Sequence, residues 1–226
     1  MATAVLDFEF ECLPREMTGL ERYSQALVLI RFRGQPVGQA LLPVVDGRIE
    51  DLRTELMCAA DSAFWEHWLR NYLGMKEERV NKLVGIPATV AVCTRDRPED
   101  MQRCIEALFR LHDDGQELLV IDNCPSTEAT RRVVEGHPGI RYVRENRPGL
   151  DIARNRALRE AKHDIIAFTD DDAAPDPGWL RSLLRNFDNP SILCVTGQTM
   201  AIELEAEAQE CYQSLGGLGR GFKRMV

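Results

Sequence analysis

From Ala88 to Phe187 the chain alternates short apolar runs with amphipathic stretches, and this alternation limits the fold more than any other feature. "ATVAVCT", "ELLVIDN", "IRYVREN" and "DIIAFTD" read as four strands. Between the first two, "RPEDMQRCIEALFRL" predicts a helix with Pro98 in its first turn and Met101, Ile105, Leu108 and Phe109 on its apolar face. "STEATRRVVEG" predicts a helix capped by Ser126 and closed at Gly136, and further helices are expected over 150–161 and in "DPGWLRSLLRNF", where Pro177 stands near the start. Strands separated by helices imply an α/β fold with a mostly parallel sheet flanked by helices. In such folds ligands collect beyond the carboxyl ends of the strands. Three acidic positions fall there: Asp96 just after the first strand, Asp122 at the end of the second, and Asp170 to Asp172 at the end of the fourth.

The residues before this region follow a different pattern. "VLDFEFE" and "ALVLIRF" read as strands and "RGQPVGQALLPV" as a hairpin return, followed by one helix over 51–73 that stops at Gly74. Trp65 and Trp68, three apart on one face of that helix, are expected to be core anchors, with His67 on the surface. The charged segment "MKEERVNKLVGIP" carries Gly85 and Pro87, so a boundary is expected near residue 85. This divides the chain into a small N-terminal β/α segment, 1–85, and a second domain, 86–226. A strand in "SILCVTGQTM" and an acidic helix in "IELEAEAQECYQSL" are expected after the acidic run, with Glu203, Glu205, Glu207 and Glu210 on a solvated helix face. "GLGRGFKR" lacks a preceding strand and a following helix, so no phosphate site is assigned to it.

Charge and composition narrow the partners. A net charge of -8 argues against a nonspecific hold on nucleic acid, which depends on clustered Lys and Arg. No apolar run approaches the roughly 20 residues of a transmembrane segment, and "MATAVLDFEFECLPRE" lacks signal-peptide order. The expected location is therefore cytoplasmic, with the inner face of the membrane as the alternative. The 7 cysteines include no C-x-x-C pair and are expected to be reduced core thiols.

The stretch "IIAFTDDDAAPDPGWL" concentrates three carboxylates that repel one another unless a cation or water compensates. Side chains at i and i+2 of a strand end share a side, so Asp170 and Asp172 can face one ligand while Asp171 turns away. Such oxygens suit Mg2+ or Mn2+, with phosphate and water completing the coordination. A plain turn or cap before the next helix is the competing account of the run. "RENRPGLDIARNRAL" adds Arg147 in a loop and Arg154 and Arg156 early in a helix, groups suited to phosphate or, equally, to surface pairing with Glu145 or Glu160.

In this order, "VAVCTRDRP", "LLVIDNCPST", "RENRPGLDIARNRAL" and "IIAFTDDDAAPDPGWL" resemble the family 2 glycosyltransferases, over about residues 86–200. The resemblance implies a GT-A fold, a nucleotide-diphosphate-sugar donor, a divalent metal, and transfer with inversion to an acceptor hydroxyl. It implies that Thr94 and Asp96 line the base pocket, that Asp122 hydrogen-bonds the base, that Arg147 and Arg154 serve the diphosphate, that Asp170 contacts the ribose side, and that Asp172 holds the metal. Family members usually carry the general base in an acidic motif well after D-x-D. The short remainder here resembles the part preceding the acceptor half, so the chain is expected to be truncated, with its base absent. Two other classes stay open. One is a nucleotide-sugar-binding module without turnover. The other is a haloacid-dehalogenase-like phosphatase, which needs a downstream lysine and acids and usually Thr or Val where Ala173 stands.

Overall fold

A computed structural model describes residues 2–60, 62–75, 86–217 and 219. The chain forms two compact units, one of Met1–Glu77 with Gly197–Val226 and one of Glu78–Thr196. The boundary expected near residue 85 lies outside the described residues, as does most of "GLGRGFKR".

The first unit is built on a sheet of order β1-β2-β3, comprising β1 (Ala2–Glu9), β2 (Tyr23–Phe32) and β3 (Gln35–Pro43). β1 and β2 are parallel, while β2 and β3 form the expected antiparallel hairpin. Its two-residue turn sets Arg33 at φ 52° and Gly34 at φ 75°, matching the twist of the flanking strands. Alternate β2 side chains, Ala26, Val28, Ile30 and Phe32, are buried with Leu42 of β3.

The helix expected over 51–73 is instead two, α1 (Leu52–Ala59) and α2 (Ser62–Tyr72), separated by Ala60 in an extended conformation. In one straight helix, Phe64 would point about 80° away from Leu56. The break allows Leu52, Leu56 and Phe64 all to join the same core. Trp65 and Trp68 pack partly buried against that core, their rings edge-on at 5.8 Å. His67 is not a free surface residue, since its ring meets that of Phe32 at 5.7 Å.

The described residues from Gly197 onward were expected to belong to the second domain, yet they fall in the first unit. The Thr3 amide donates to the Leu204 carbonyl at 3.0 Å, the Thr3 hydroxyl to Glu210 at 2.6 Å, and Arg22 and the Tyr23 hydroxyl to Glu205 at 2.7 Å. β1 is a sheet edge with unpaired backbone groups, and the tail supplies one antiparallel bridge to it. The acidic helix α7 (Glu207–Ser214) starts later than expected, so Glu203 and Glu205 precede it. "SILCVTGQTM" forms no strand, since no neighbour offers it a hydrogen-bonding ladder.

The second unit contains β4 (Ala88–Thr94), β5 (Glu117–Asn123), β6 (Ile140–Glu145) and β7 (Ile165–Asp170), all parallel in the order β6-β5-β4-β7. Its helices are α3 (Pro98–Leu108), α4 (Ala129–Glu135), α5 (Leu150–Glu160) and α6 (Trp179–Leu184). One sheet face buries Val90, Val92 and Val120 against Met101, Ile105 and Leu108 of α3, with Val134 and Leu184. The other buries Ala91, Leu119 and Ile121 against Ala153 and Ala157 of α5. The α/β architecture, a parallel sheet flanked by helices, is thus the expected one.

Three local expectations change. Phe109 is half exposed because α3 ends at Leu108 and Phe109 only caps it. Ser126 does not cap α4, whose N-cap is Glu128, and its amide and hydroxyl turn to Asp96 instead. All seven cysteines are free thiols, but only Cys104 is buried, while Cys12, Cys58, Cys194 and Cys211 are exposed. Among the described residues no helix is long and apolar enough to cross a membrane.

Candidate functional site

The strand order places the site. From β4 the chain builds β5 and β6 on one side and then returns to place β7 on the other. The return sets the carboxyl end of β7 beside that of β4, and a crevice opens beyond the strand ends. A cleft of about 510 Å³ lies there. One wall is the end of β4 with Arg95 and Arg97, the opposite wall is the start of α5 with Gly149 and Arg154, and the lip is Asp170, Asp171 and Asp172.

The acidic run splits, with Asp170 ending β7 and Asp171 and Asp172 in the turn after it. Asp171 is buried and accepts from the Thr94 hydroxyl at 2.7 Å and from Nη1 of Arg97 at 3.2 Å. Its neighbours face water, with side chains 73% exposed for Asp170 and 60% for Asp172. Each has a guanidinium nearby: Arg154 lies 3.9 Å from Asp170, and Nη1 of Arg97 lies 3.4 Å from Asp172.

Arg154 owes its position to a pinned loop. The buried Asn123 side chain donates to the Arg147 carbonyl at 2.8 Å and accepts from the Gly149 amide at 2.8 Å, fixing the entry to α5. Gly149 has φ 135°, a conformation that favours glycine over residues with a Cβ. The Arg147 guanidinium turns away to Glu145 at 3.3 Å and does not line the cleft, so this residue contributes its backbone rather than its charge.

Asp96 and Asp122 also stand off the cleft lining. Asp96 adopts a left-handed conformation, φ 54°, and accepts both the amide and the hydroxyl of Ser126, at 2.8 and 2.9 Å. Those bonds, the backbone one first, hold its carboxyl below the usual aspartate range. Asp122 is fully buried: Oδ2 accepts from the Tyr142 hydroxyl at 2.8 Å, while Oδ1 has no hydrogen-bond partner among the described residues. Burial pushes its pKa up, the Tyr142 bond opposes this, and the nearby Asp96 charge adds to it. Cys93 faces the cleft, but burial raises its pKa to about 11, so it is a neutral thiol rather than a nucleophile.

Of the residues singled out in the sequence, the structure therefore brings Thr94, Arg154, Asp170 and Asp172 to one cleft and leaves Asp96, Asp122 and Arg147 outside its lining. Arg97 and Asn123 were not singled out. Arg97 stands at the N-cap of α3 immediately before Pro98, a position that faces the carboxyl edge of the sheet. Asn123 follows Asp122 on β5, and strand alternation sends the two side chains to opposite faces.

The donor set fits a divalent ion of limited protein coordination. No group of three or more His, Cys, Asp or Glu side chains able to hold a metal occurs among the described residues. Two accessible carboxylates at the lip instead match Mg2+ or Mn2+ chemistry in which phosphate and water occupy the other positions.

A family model described as "Glycosyl transferase family 2" matches residues 89–211. Curated relatives include a hyaluronan synthase of Pasteurella multocida, 27% identical over 62% of this chain and 15% of its own length. The succinoglycan biosynthesis protein ExoM of Rhizobium meliloti is 32% identical over 50% of this chain and 38% of its own length. This chain thus spans less than half of either relative. Among solved structures, the mannosyltransferase PcManGT of Pyrobaculum calidifontis, in complex with GDP-Man and Mn2+, is 23% identical, with a TM-score of 0.45 over 68% of this chain and 54% of its own. The family match takes in β4 to β7, the cleft they open and more than half of the sequence, and this chain belongs to glycosyltransferase family 2.

Proposed function

We propose that the cleft holds the nucleotide-diphosphate-sugar donor of a metal-assisted, inverting transfer to an acceptor hydroxyl. The observation that carries this reading is the meeting, at one crevice, of Thr94 from β4, Arg154 from α5 and the Asp170–Asp172 lip of β7. Asp172 holds the divalent ion and Asp170 accepts from the ribose side of the nucleotide. Arg154, on the wall facing them, takes the diphosphate. The metal supplies Lewis-acid stabilisation of the departing diphosphate. Arg154 adds a positive charge, placed by the pinned entry to α5, where negative charge develops.

Asp122 receives the base through its unpartnered Oδ1. A buried acceptor without a partner costs free energy that a ligand N–H recovers. Because Asp122 and Asp96 stand off the cleft lining, this role requires the β4 and β5 loops, joined by the Asp96–Ser126 bonds, to part around the base. Inversion requires a base on the acceptor side, and no residue is assigned to it.

Calorimetry with UDP, GDP and dTDP, with and without Mn2+, tests the reading when repeated on Asp172→Ala. The expected result is metal-dependent binding of one nucleotide, weakened at least tenfold, about 1.4 kcal/mol, by the substitution. Equal, metal-independent binding by both proteins removes the assignment.

A further inference from the structure

We propose that Arg97 is a second diphosphate-contacting cation of the cleft, and that the buried Asp171 is its positioning residue. The inference rests on the donor reading above. Of the three acids at the lip, Asp171 alone is buried, and both of its oxygens are engaged: Oδ2 by the Thr94 hydroxyl and Oδ1 by Arg97. A carboxylate withdrawn from water requires such compensation. Here the bonds connect three elements, the end of β4, the N-cap of α3 and the turn after β7.

Only one nitrogen of Arg97 is used. Nη1 serves Asp171 at 3.2 Å and Asp172 at 3.4 Å, while Nε and Nη2 make no hydrogen bond among the described residues. The side chain is 54% exposed and lines the cleft. The open part of the fork therefore faces the same space as Arg154, from the opposite wall. A guanidinium anchored at one nitrogen keeps donors in a fixed plane, the geometry that suits paired phosphate oxygens.

The charges agree with this role. Three carboxylates and three guanidinium groups, those of Arg95, Arg97 and Arg154, line the cleft and leave it without net formal charge. A divalent ion held by Asp172 would make it positive toward a diphosphate and would draw Asp172 from Arg97, whose donors could then turn to the anion. Arg97 then favours a diphosphate over a monophosphate, because it offers donors to the same cleft in addition to those of Arg154.

The test is calorimetry in Mn2+ with the nucleoside diphosphate that binds best and with its monophosphate, on wild type, Arg97→Ala, Arg97→Lys, Asp171→Asn and the Arg97→Ala/Asp171→Asn pair. Wild type is expected to prefer the diphosphate at least tenfold. Arg97→Ala removes most of that preference while leaving monophosphate affinity within about twofold, and Arg97→Lys restores only part of it. Asp171→Asn reproduces the loss, and the double variant loses no more than either single one, as expected when one residue acts through the other. A merely structural Asp171 would lower the melting temperature without moving the preference, and that result overturns its positioning role. An unchanged preference in the soluble, exposed-site variant Arg97→Ala overturns the proposal while the donor site stands. A wild type that binds neither nucleotide overturns both.

Discussion

Replacing Asp122 with asparagine should make the protein more stable and a poorer binder of nucleotide. In the folded chain this carboxylate is fully buried, holds one hydrogen bond from Tyr142 at 2.8 Å, and leaves Oδ1 without a partner among the described residues. An unsatisfied buried acceptor costs about 1–3 kcal/mol, and more when the group is charged. Asparagine accepts the same Tyr142 bond and removes the charge, while its amide nitrogen inherits the position without a partner, so Asp122→Asn should recover only the charge's share of the penalty, about 1 kcal/mol near pH 7. For a chain of this size that is a rise of about 2–4 °C in melting temperature per kcal/mol. The gain must depend on pH with a definite sign. The folded pKa of Asp122 is raised by burial, so the folded state favours the protonated form. Below the ordinary aspartate value, about 3.9, both folded and unfolded wild type hold the proton and the difference from asparagine is least. As pH rises from there through the raised folded value, wild type loses stability that the variant keeps. Urea titrations of both proteins from pH 4 to pH 8 measure this difference, and calorimetry measures nucleotide affinity in the same samples. A variant that is less stable at pH 7, or a gain that does not vary with pH, refutes the account of a buried, partly unpaired carboxylate. A stabilised variant with unchanged nucleotide affinity refutes its role toward the base.

Two further substitutions separate scaffold from site. Glu117, at the amino end of β5 and away from the cleft, accepts from the Thr89 hydroxyl, Arg141 Nε and the Lys162 amide at 2.8 to 2.9 Å. Glu117→Ala should cost about 3 kcal/mol in urea titration with nucleotide affinity intact. Burial works to raise the Glu117 pKa, but those bonds outweigh it and hold it below the usual range. Its contribution is therefore present above the ordinary glutamate value and is lost as pH falls through the depressed one, so the difference between the two proteins should shrink in acid. Asn123→Ala deletes both bonds that pin the loop before α5, at a cost of about 2 kcal/mol. It should also weaken diphosphate binding by freeing Arg154, and an unchanged affinity would show that the loop holds its shape without Asn123.

Which parts of this were legible in the chain follows from the range of the interactions involved. β4 to β7 and the helices between them were readable because apolar periodicity is written locally, in runs such as "ATVAVCT" and "MQRCIEAL". The split of the acidic run, with Asp171 buried and Asp170 and Asp172 exposed, matches what alternation at a strand end suggests, but β7 ends at Asp170 and it is the bonds from Thr94 and Arg97 that hold Asp171 in the turn. The break at Ala60 was not readable, because it answers to the direction in which Phe64 must point to meet a sheet far away in sequence. Nor was the tail, whose polar residues pair with Thr3, Arg22 and Tyr23 at the other end of the chain.

For the site the division is similar. Sequence alone determined that acids stand at the carboxyl ends of parallel strands and that arginines open a nearby helix, because those placements need only element boundaries. Tertiary structure decided which of them meet. The strand order β6-β5-β4-β7 sets β7 beside β4, so the acidic lip meets Thr94 and Arg97, while Asp96 is drawn to Ser126, Asp122 is enclosed beside Tyr142 and Arg147 folds back on Glu145. A side chain's partner depends on what the fold brings within hydrogen-bonding distance, and that distance is set by sheet topology rather than by spacing along the chain.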